Sequence, residues 1–332
     1  LPKKNIEKFF MAQFAGESSR LTLVALGSLG LAGLLLPVAF SVNPFVLIFL
    51  ANTFLYMLLA LGLQMIFGYA GMVHLSQAAF FGIGAYTSAL VTRTFGWPFL
   101  AGVVTATLAA ALAGLLMSPM VRLKSVYFAL ASFALGPITQ VLFRELPFTG
   151  GVNGLAGIPP PEFAGLNLGT PSRFYYLALF ALSLFYTVCH LLARSPFGLA
   201  LKVIRQNELA AQACGVNVSM MQVKVILIGV GAAGLAGSLV AHVQGFISPD
   251  MFSVDKSLFI IGMTVVGGLG NLPGALLGTA LMMFVAEYGR LFEQYVMLVY
   301  GLVLALFMIF LPRGLSGFLA AAAAKLGTRP TS

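Results

Sequence analysis

The strongest constraint on this chain is a succession of apolar stretches of a length that only a bilayer demands. Ten runs, at 21–40, 46–67, 77–92, 98–117, 126–143, 174–193, 223–242, 257–271, 274–289 and 295–311, each hold 15 to 22 mainly apolar residues. A helix crossing the hydrocarbon core needs about 20 such residues. Lipid offers no partners to backbone N–H and C=O groups, so helices are the form these runs must take. The expected fold is therefore an all-α integral membrane protein, a polytopic bundle of about ten transmembrane helices. The 77–92 and 257–271 runs are short, so each either spans or is broken and re-enters.

Charge supports this reading. Only 8% of the 332 residues are charged, against roughly 25% in soluble domains. The net charge of +9 comes from bases that flank the apolar runs. That pattern points to membrane topology and not to nucleic acid. With ten spans, both termini share one side, and thirteen of the eighteen Lys and Arg fall there. Arg93, Arg144, Arg173, Lys256 and Arg290 fall on the other. The positive-inside rule makes the first side cytoplasmic. Residues 1–20 form a basic cytoplasmic segment, either a short interfacial helix or a frayed end. Residues 21–317 form one transmembrane domain and 318–332 a cytoplasmic tail. The 21–40 run has no small-residue cleavage site after it, so it is expected to remain as a span. Cys189 and Cys214 lie toward the cytoplasmic side, where a disulfide is not expected.

Two connections are long. The outer one, 144–173, carries TGGVNGLAGIPPPEF, whose glycines and prolines forbid a regular helix. The inner one, 194–222, reads amphipathic. Ser195 suits an N-cap, Pro196 the first helical position and Gly215 a C-terminal stop. A 3.6-residue period gathers Ala200, Val203, Ile204, Ala210, Ala211 and Cys214 on one broad face. Lys202, Arg205, Gln206, Glu208 and Gln212 lie opposite, with Asn207 a point where the helix can divide. The element serves either as a solvated connector or as a partner-facing surface.

Other motifs are weaker. The G-x-G-x-x-G at Gly229, Gly231 and Gly234 lies inside an apolar run, so small residues at 231, 234 and 237 read as helix packing and not as a nucleotide site. VVGGLGNLPGALLG places Gly267, Gly268 and Gly270 with Pro273, a helix break that serves as a hinge, with pathway lining the alternative. Gly270, Gly274 and Gly278 add G-x-x-x-G spacing. Asn52, Gln64, His74, Ser76 and Gln77 are polar residues at or near membrane depth and thus candidates for a pathway. His74, His190 and His242 are scattered, without metal-ligand spacing. Glu287 and Arg290 read as a local ion pair. No catalytic site is legible. These 332 residues contain no G-x-x-x-x-G-K-[ST]. Any ATPase that drives this chain must therefore be another polypeptide.

In combination these blocks resemble a family. GYAGMVHLSQAAFFGIGAY (68–86), VYFALASFAL (126–135), TGGVNGLAGIPPP (149–161), SPFGLALKVIRQNELAAQACGVN (195–217), GFISPDMF (245–252), VVGGLGNLPGALLG (265–278) and LPRGLSG (311–317) occur in one order. The chain resembles the permease subunits of branched-chain amino acid ABC importers, the LivM-like group, from about residue 45 to 317. The resemblance implies an inner-membrane subunit that needs no cofactor of its own. Its implied partners are a homologous LivH-like permease, two ABC ATPase subunits that bind ATP, and a periplasmic substrate-binding protein. It implies that the inner loop couples to the ATPases. Lys202, Arg205, Glu208, Ala210, Ala211 and Gly215 are the coupling candidates, with Leu209 inserted relative to the common EAA-x-x-x-G form. The family usually has a Ser and a Gly where this chain has His74 and Ser76. Substrates implied are branched-chain or related amino acids, with relatives taking urea or short amides. An ion-coupled secondary transporter is the rival reading, and it lacks the central carboxylate that such coupling uses.

Overall fold

The computed structural model describes residues 43–289, apart from 124 and 164, and a few positions between 301 and 317. The spans expected at 21–40 and 295–311, the basic segment 1–20, the tail and Arg290 lie outside the described residues or largely so.

Helix α1 runs Pro44–Leu63, capped by the Asn43 side chain, and continues as a π-helical turn, Gln64–Tyr69. After an extended stretch come α2 (Gln77–Thr94) and α3 (Phe99–Leu116), then a 3-10 turn at Ser118–Arg122 and α4 (Ser125–Glu145). Helix α5 (Pro171–Arg194) leads into two short helices, α6 (Pro196–Gln206) and α7 (Glu208–Ala213). Helix α8 (Val218–Gln244), the longest among the described residues, is followed by α9 (Val254–Gly267) and α10 (Leu272–Gly289). Among the described residues six helical stretches are long and apolar enough to cross a membrane: Pro44–Tyr69, Phe99–Leu116, Val126–Glu145, Pro171–Arg194, Val218–Gln244 and Leu272–Gly289. The expected run at 77–92 lies within α2, while that at 257–271 is helical only to Gly267, the end of α9, and then breaks; neither helix belongs to those six.

Helices α8 and α1 form the centre. Helix α8 packs on α2, α3 and α1, while α1 also holds α5, α9 and α10. Small residues allow this approach. A Cβ on Gly229 would lie 2.6 Å from the Gly62 carbonyl oxygen, and one on Gly237 would overlap that of Phe81. Backbones thus meet with no side chain between them, the packing mode available when lipid is as apolar as the core. The sequence singled out Gly231, Gly234 and Gly237. In the structure Gly234 and Gly237 make tight crossings, while Gly231 has only Thr107 near it. Likewise the α9–α10 crossing uses Gly267, Gly274 and Gly278, and Gly270 points elsewhere. Helices α3, α4 and α5 lie outside the centre and expose apolar side chains such as Leu108, Leu130 and Phe180.

The two ends of the bundle differ. One carries Arg122, Arg194, Lys202, Arg205 and Lys224 with Glu208. The other carries Arg93, Arg144, Arg173 and Lys256 with Glu145, Glu162, Asp250 and Asp255. At this second end β1 (Leu155–Ala156) pairs antiparallel with β4 (Phe246–Ile247), and β2 (Glu162–Phe163) with β3 (Leu166–Asn167). Arg144 and Asp250 form an ion pair across the same two loops.

Candidate functional site

The inner loop forms two helices because Asn207 breaks it. Its backbone is extended at φ −159°, and its side-chain oxygen accepts from the Ala210 N–H at 3.1 Å, which starts α7 afresh. Helix α7 ends in a Schellman arrangement. Val216 N–H donates to the Ala211 carbonyl at 3.1 Å and Gly215 N–H to that of Gln212 at 2.9 Å. Gly215 supplies the left-handed residue this requires, at φ +80°. Ser195 stands at the N-cap position of α6 but does not cap. Its hydroxyl donates back to the Leu192 carbonyl at 2.7 Å.

The single apolar face expected over 200–214 does not form. Leu201, Ile204 and Ala211 are buried, whereas Val203, Ala210 and Cys214 are exposed. The break at Asn207 resets the helical phase, so one 3.6-residue period cannot run through both helices. Leu209, an insertion by motif, is 76% exposed. Glu208 accepts a hydrogen bond from Gln222 Nε2 at 3.0 Å, which ties α7 to the base of α8.

The sequence did not foretell where Arg205 goes. It leaves α6 and donates through Nη1 to the carbonyl oxygen of Gly68, in the π-helical end of α1. A Cβ on Gly270, in the break between α9 and α10, would lie 2.9 Å from the same nitrogen. A Cβ on Gly71 would lie 2.9 Å from Arg205 Cγ. Gly71 and Gly270 have φ of 75° and 87°, so both breaks use backbone that side chains resist. Helices α1 and α9 end at this point, and a cation beside helix C-termini is favoured by the macrodipole by about 0.3–1 kcal/mol each. Lys202 Nζ stands 5.5 Å from the centre of the Tyr69 ring, a cation–π contact on the same junction.

Gln64 bridges the two breaks from within. Its Nε2 donates to the Gly268 carbonyl at 2.9 Å and to the Asn271 carbonyl at 3.1 Å. Thus Lys202, Arg205, Gln64, Gly268 and Gly270 come together. Gly267 belongs to the helix crossing beside them. Ala210, Ala211 and Gly215 stay within α7 or at its end. Asn52 is remote, about 18 Å along α1 from Gln64 at 1.5 Å per residue.

His74, Ser76 and Gln77 form a second buried polar group. Ser76 Oγ lies 3.1 Å from His74 Nε2. Gln77 Nε2 donates to the carbonyls of Gly229, at 3.1 Å, and Leu59, at 3.4 Å. Contact with Leu59 sets α2 roughly 15 Å back along α1 from its end, so the stretch before it re-enters the bundle. Ser132 Oγ accepts from Leu75 N–H at 3.1 Å and Ser257 Oγ from Ala78 N–H at 3.0 Å, which satisfies backbone that this break frees. Gln64 Oε1, Gln77 Oε1 and His74 Nδ1 are buried without a hydrogen-bond partner.

A third network was missed. His242 Nδ1 faces the Pro159 carbonyl at 2.8 Å, and Nε2 lies 2.9 Å from Ser88 Oγ, itself 2.7 Å from Ser238 Oγ. A carbonyl only accepts, so Nδ1 carries the proton, Ser88 donates to Nε2 and Ser238 donates to Ser88. The chain ties α2 and α8 to the 144–173 loop. The spacing of Ser238 and His242, one helical turn apart, was its only signal.

Residues 45–311 match the family described as branched-chain amino acid transport system, permease component. The chain is 32% identical over 288 residues to the high-affinity branched-chain amino acid transport system permease protein LivM of Salmonella typhimurium, covering 79% of this chain and 68% of that one. The LivM protein of Escherichia coli K12 matches with the same identity and coverage. The LivH permease protein of the same Escherichia coli strain is 24% identical over 285 residues, 79% of this chain and 91% of LivH. No solved structure matches.

Proposed function

Since the chain belongs to the branched-chain amino acid transport permease family, we propose that it is the membrane-spanning subunit of an ATP-driven importer that passes branched-chain or related amino acids to the cytoplasm. Its partners in this reading are a LivH-like permease, two ABC ATPases and a periplasmic binding protein. Similarity to both LivM and LivH supports the permease pair. The end bearing Lys202, Arg205 and Lys224 is then cytoplasmic, and both termini share that side.

The observation that carries the mechanism is the contact of Arg205 with Gly68 and Gly270. Helices α6 and α7 present Leu209 outward as an apolar anchor for an ATPase. Movement of α6 is transmitted by Arg205 to the ends of α1 and α9, where irregular backbone can change shape at low cost. ATP binding favours one of two arrangements of the helices, and hydrolysis releases it. The loops at 144–173 and 243–256, joined by β1–β4 and by Arg144–Asp250, receive the binding protein.

The test is uptake of labelled leucine by cells carrying the chain with its partner subunits. ATP-dependent uptake is expected, lost in Glu208→Lys and Gly215→Val at normal membrane levels. Uptake that persists in both would sink the coupling reading. Uptake abolished by an uncoupler but surviving ATP depletion would establish the ion-coupled rival. Labelled urea in the same cells separates amino acid carriage from the urea and amide reading, which His74 and Ser76 keep open.

A further inference from the structure

A cleft of about 720 Å³ opens between the 3-10 turn Ser118–Arg122 and the first turns of α8. Arg122 and Lys224 reach it from separate elements, Ser118, Asn217 and Ser219 add polar groups, and Val223 an apolar wall. No acidic residue lines it. Among the described residues neither the Arg122 nor the Lys224 side chain has an ion pair or hydrogen bond. The positive end of the α8 macrodipole adds to the same field. Two unneutralised cations in one cleft ask for an anion. The surroundings say which kind. Leu112, Leu115 and Leu116, in the last turns of α3 just before Ser118, are 62%, 49% and 83% exposed, so an exposed apolar face adjoins the cleft.

We propose that this cleft binds the phosphate of an anionic phospholipid, its acyl chains lying along the Leu112–Leu116 face. The inference rests on the chain spanning a membrane and is independent of what it transports. Arg122 and Lys224 supply charge, each base near a lipid surface contributing a several-fold gain in affinity. Ser118 and Ser219 supply donors to phosphate oxygens.

The test uses the purified full chain in neutral detergent, with native mass spectrometry and melting temperature as readouts. It is titrated with dioleoyl phosphatidylglycerol, with dioleoyl phosphatidylcholine and with inorganic phosphate. Phosphatidylglycerol is expected to bind and raise the melting temperature, with phosphatidylcholine inert. Arg122→Gln with Lys224→Gln should weaken phosphatidylglycerol binding about 30-fold. The charge-preserving pair Arg122→Lys with Lys224→Arg should keep it, which separates loss of charge from loss of fold. Equal phosphatidylglycerol binding by the parent and the Gln pair overturns the site. Stabilisation by inorganic phosphate alone, lost in the Gln pair, overturns the lipid and assigns a soluble anion. No response to any of the three overturns the proposal.

Discussion

Arg205 donates a hydrogen bond to the carbonyl oxygen of Gly68, a residue 137 positions earlier in the chain. The contact joins a short surface helix to the point where α1 loses regular geometry. Arg205→Ala removes it and leaves a part-buried carbonyl short of a donor, a loss of about 1–3 kcal/mol. Leucine uptake is expected to fall at least tenfold while ATPase activity of the assembled transporter persists. Arg205→Lys keeps the charge but not the reach of the planar fork, so intermediate uptake is expected. Uptake equal to the parent in Arg205→Ala would remove Arg205 from the transmission route.

Gly270 carries the partner half of this junction. At φ +87°, with a Cβ placed 2.9 Å from Arg205 Nη1, Gly270→Ala suffers backbone strain of roughly 1–2 kcal/mol and displaces the guanidinium. The two substitutions act on one contact, so the Arg205→Ala/Gly270→Ala double variant should lose less than the sum of the single losses. A double-mutant cycle on melting temperature and uptake measures this. Simple additivity would mean that the two residues act separately.

Gly237 and Gly231 lie on the same helix and should respond differently. Gly237→Ala drives a methyl into the Phe81 carbonyl and forces α8 away from α2, at a cost of about 1–3 kcal/mol. Gly231→Ala meets only Thr107, 3.7 Å away, and should be neutral or stabilising. Thermal unfolding of both variants in one detergent decides it.

Gly215 has open space around the position of a side chain, so its requirement is conformational alone. Gly215→Asn, which tolerates the left-handed region, should retain most uptake. Gly215→Val should lose it together with the end of α7. If valine is tolerated as well as asparagine, the turn does not matter to coupling.

The ion pair of Arg144 with Asp250 should contribute little to stability. Its side chains are 42% and 66% exposed, and such pairs are worth about 0–1 kcal/mol. Arg144→Gln should leave the melting temperature within a degree or two, while weakening capture of the binding protein if the two loops form its seat. Surface plasmon resonance with the binding protein reads this separately from stability.

The sequence made some of this architecture legible. Apolar runs over 46–67, 126–143, 174–193 and 223–242 lie within helices, because burial in lipid writes itself into composition. Pro196, Asn207 and Gly215 marked the start, break and stop of α6 and α7 through local backbone rules. The junction itself was hidden. Arg205 meets a main-chain carbonyl and two glycines, and none of these leaves a side-chain pattern to pair with it. The π-helical end of α1 was hidden for a similar reason, whereas the shortness of the 77–92 run leaves re-entry open for the stretch before Gln77. Their freed backbone groups are satisfied by Arg205, Ser132 and Ser257 from elsewhere in the chain, and each serine by itself is unremarkable in an apolar run.

The shape of the junction also limits how it can be altered. On the membrane side Arg205 is met by a backbone oxygen and by residues without side chains. No exchange at Gly68, Gly71 or Gly270 can add a better partner, because each added atom takes space that the guanidinium or the backbone already fills. Adjustment is open on one side only, through the length and charge of the residue at 205. If the proposed coupling to an ATPase holds, retuning it at this contact would therefore be open at residue 205, on the surface helix, and closed at its glycine partners in the bundle.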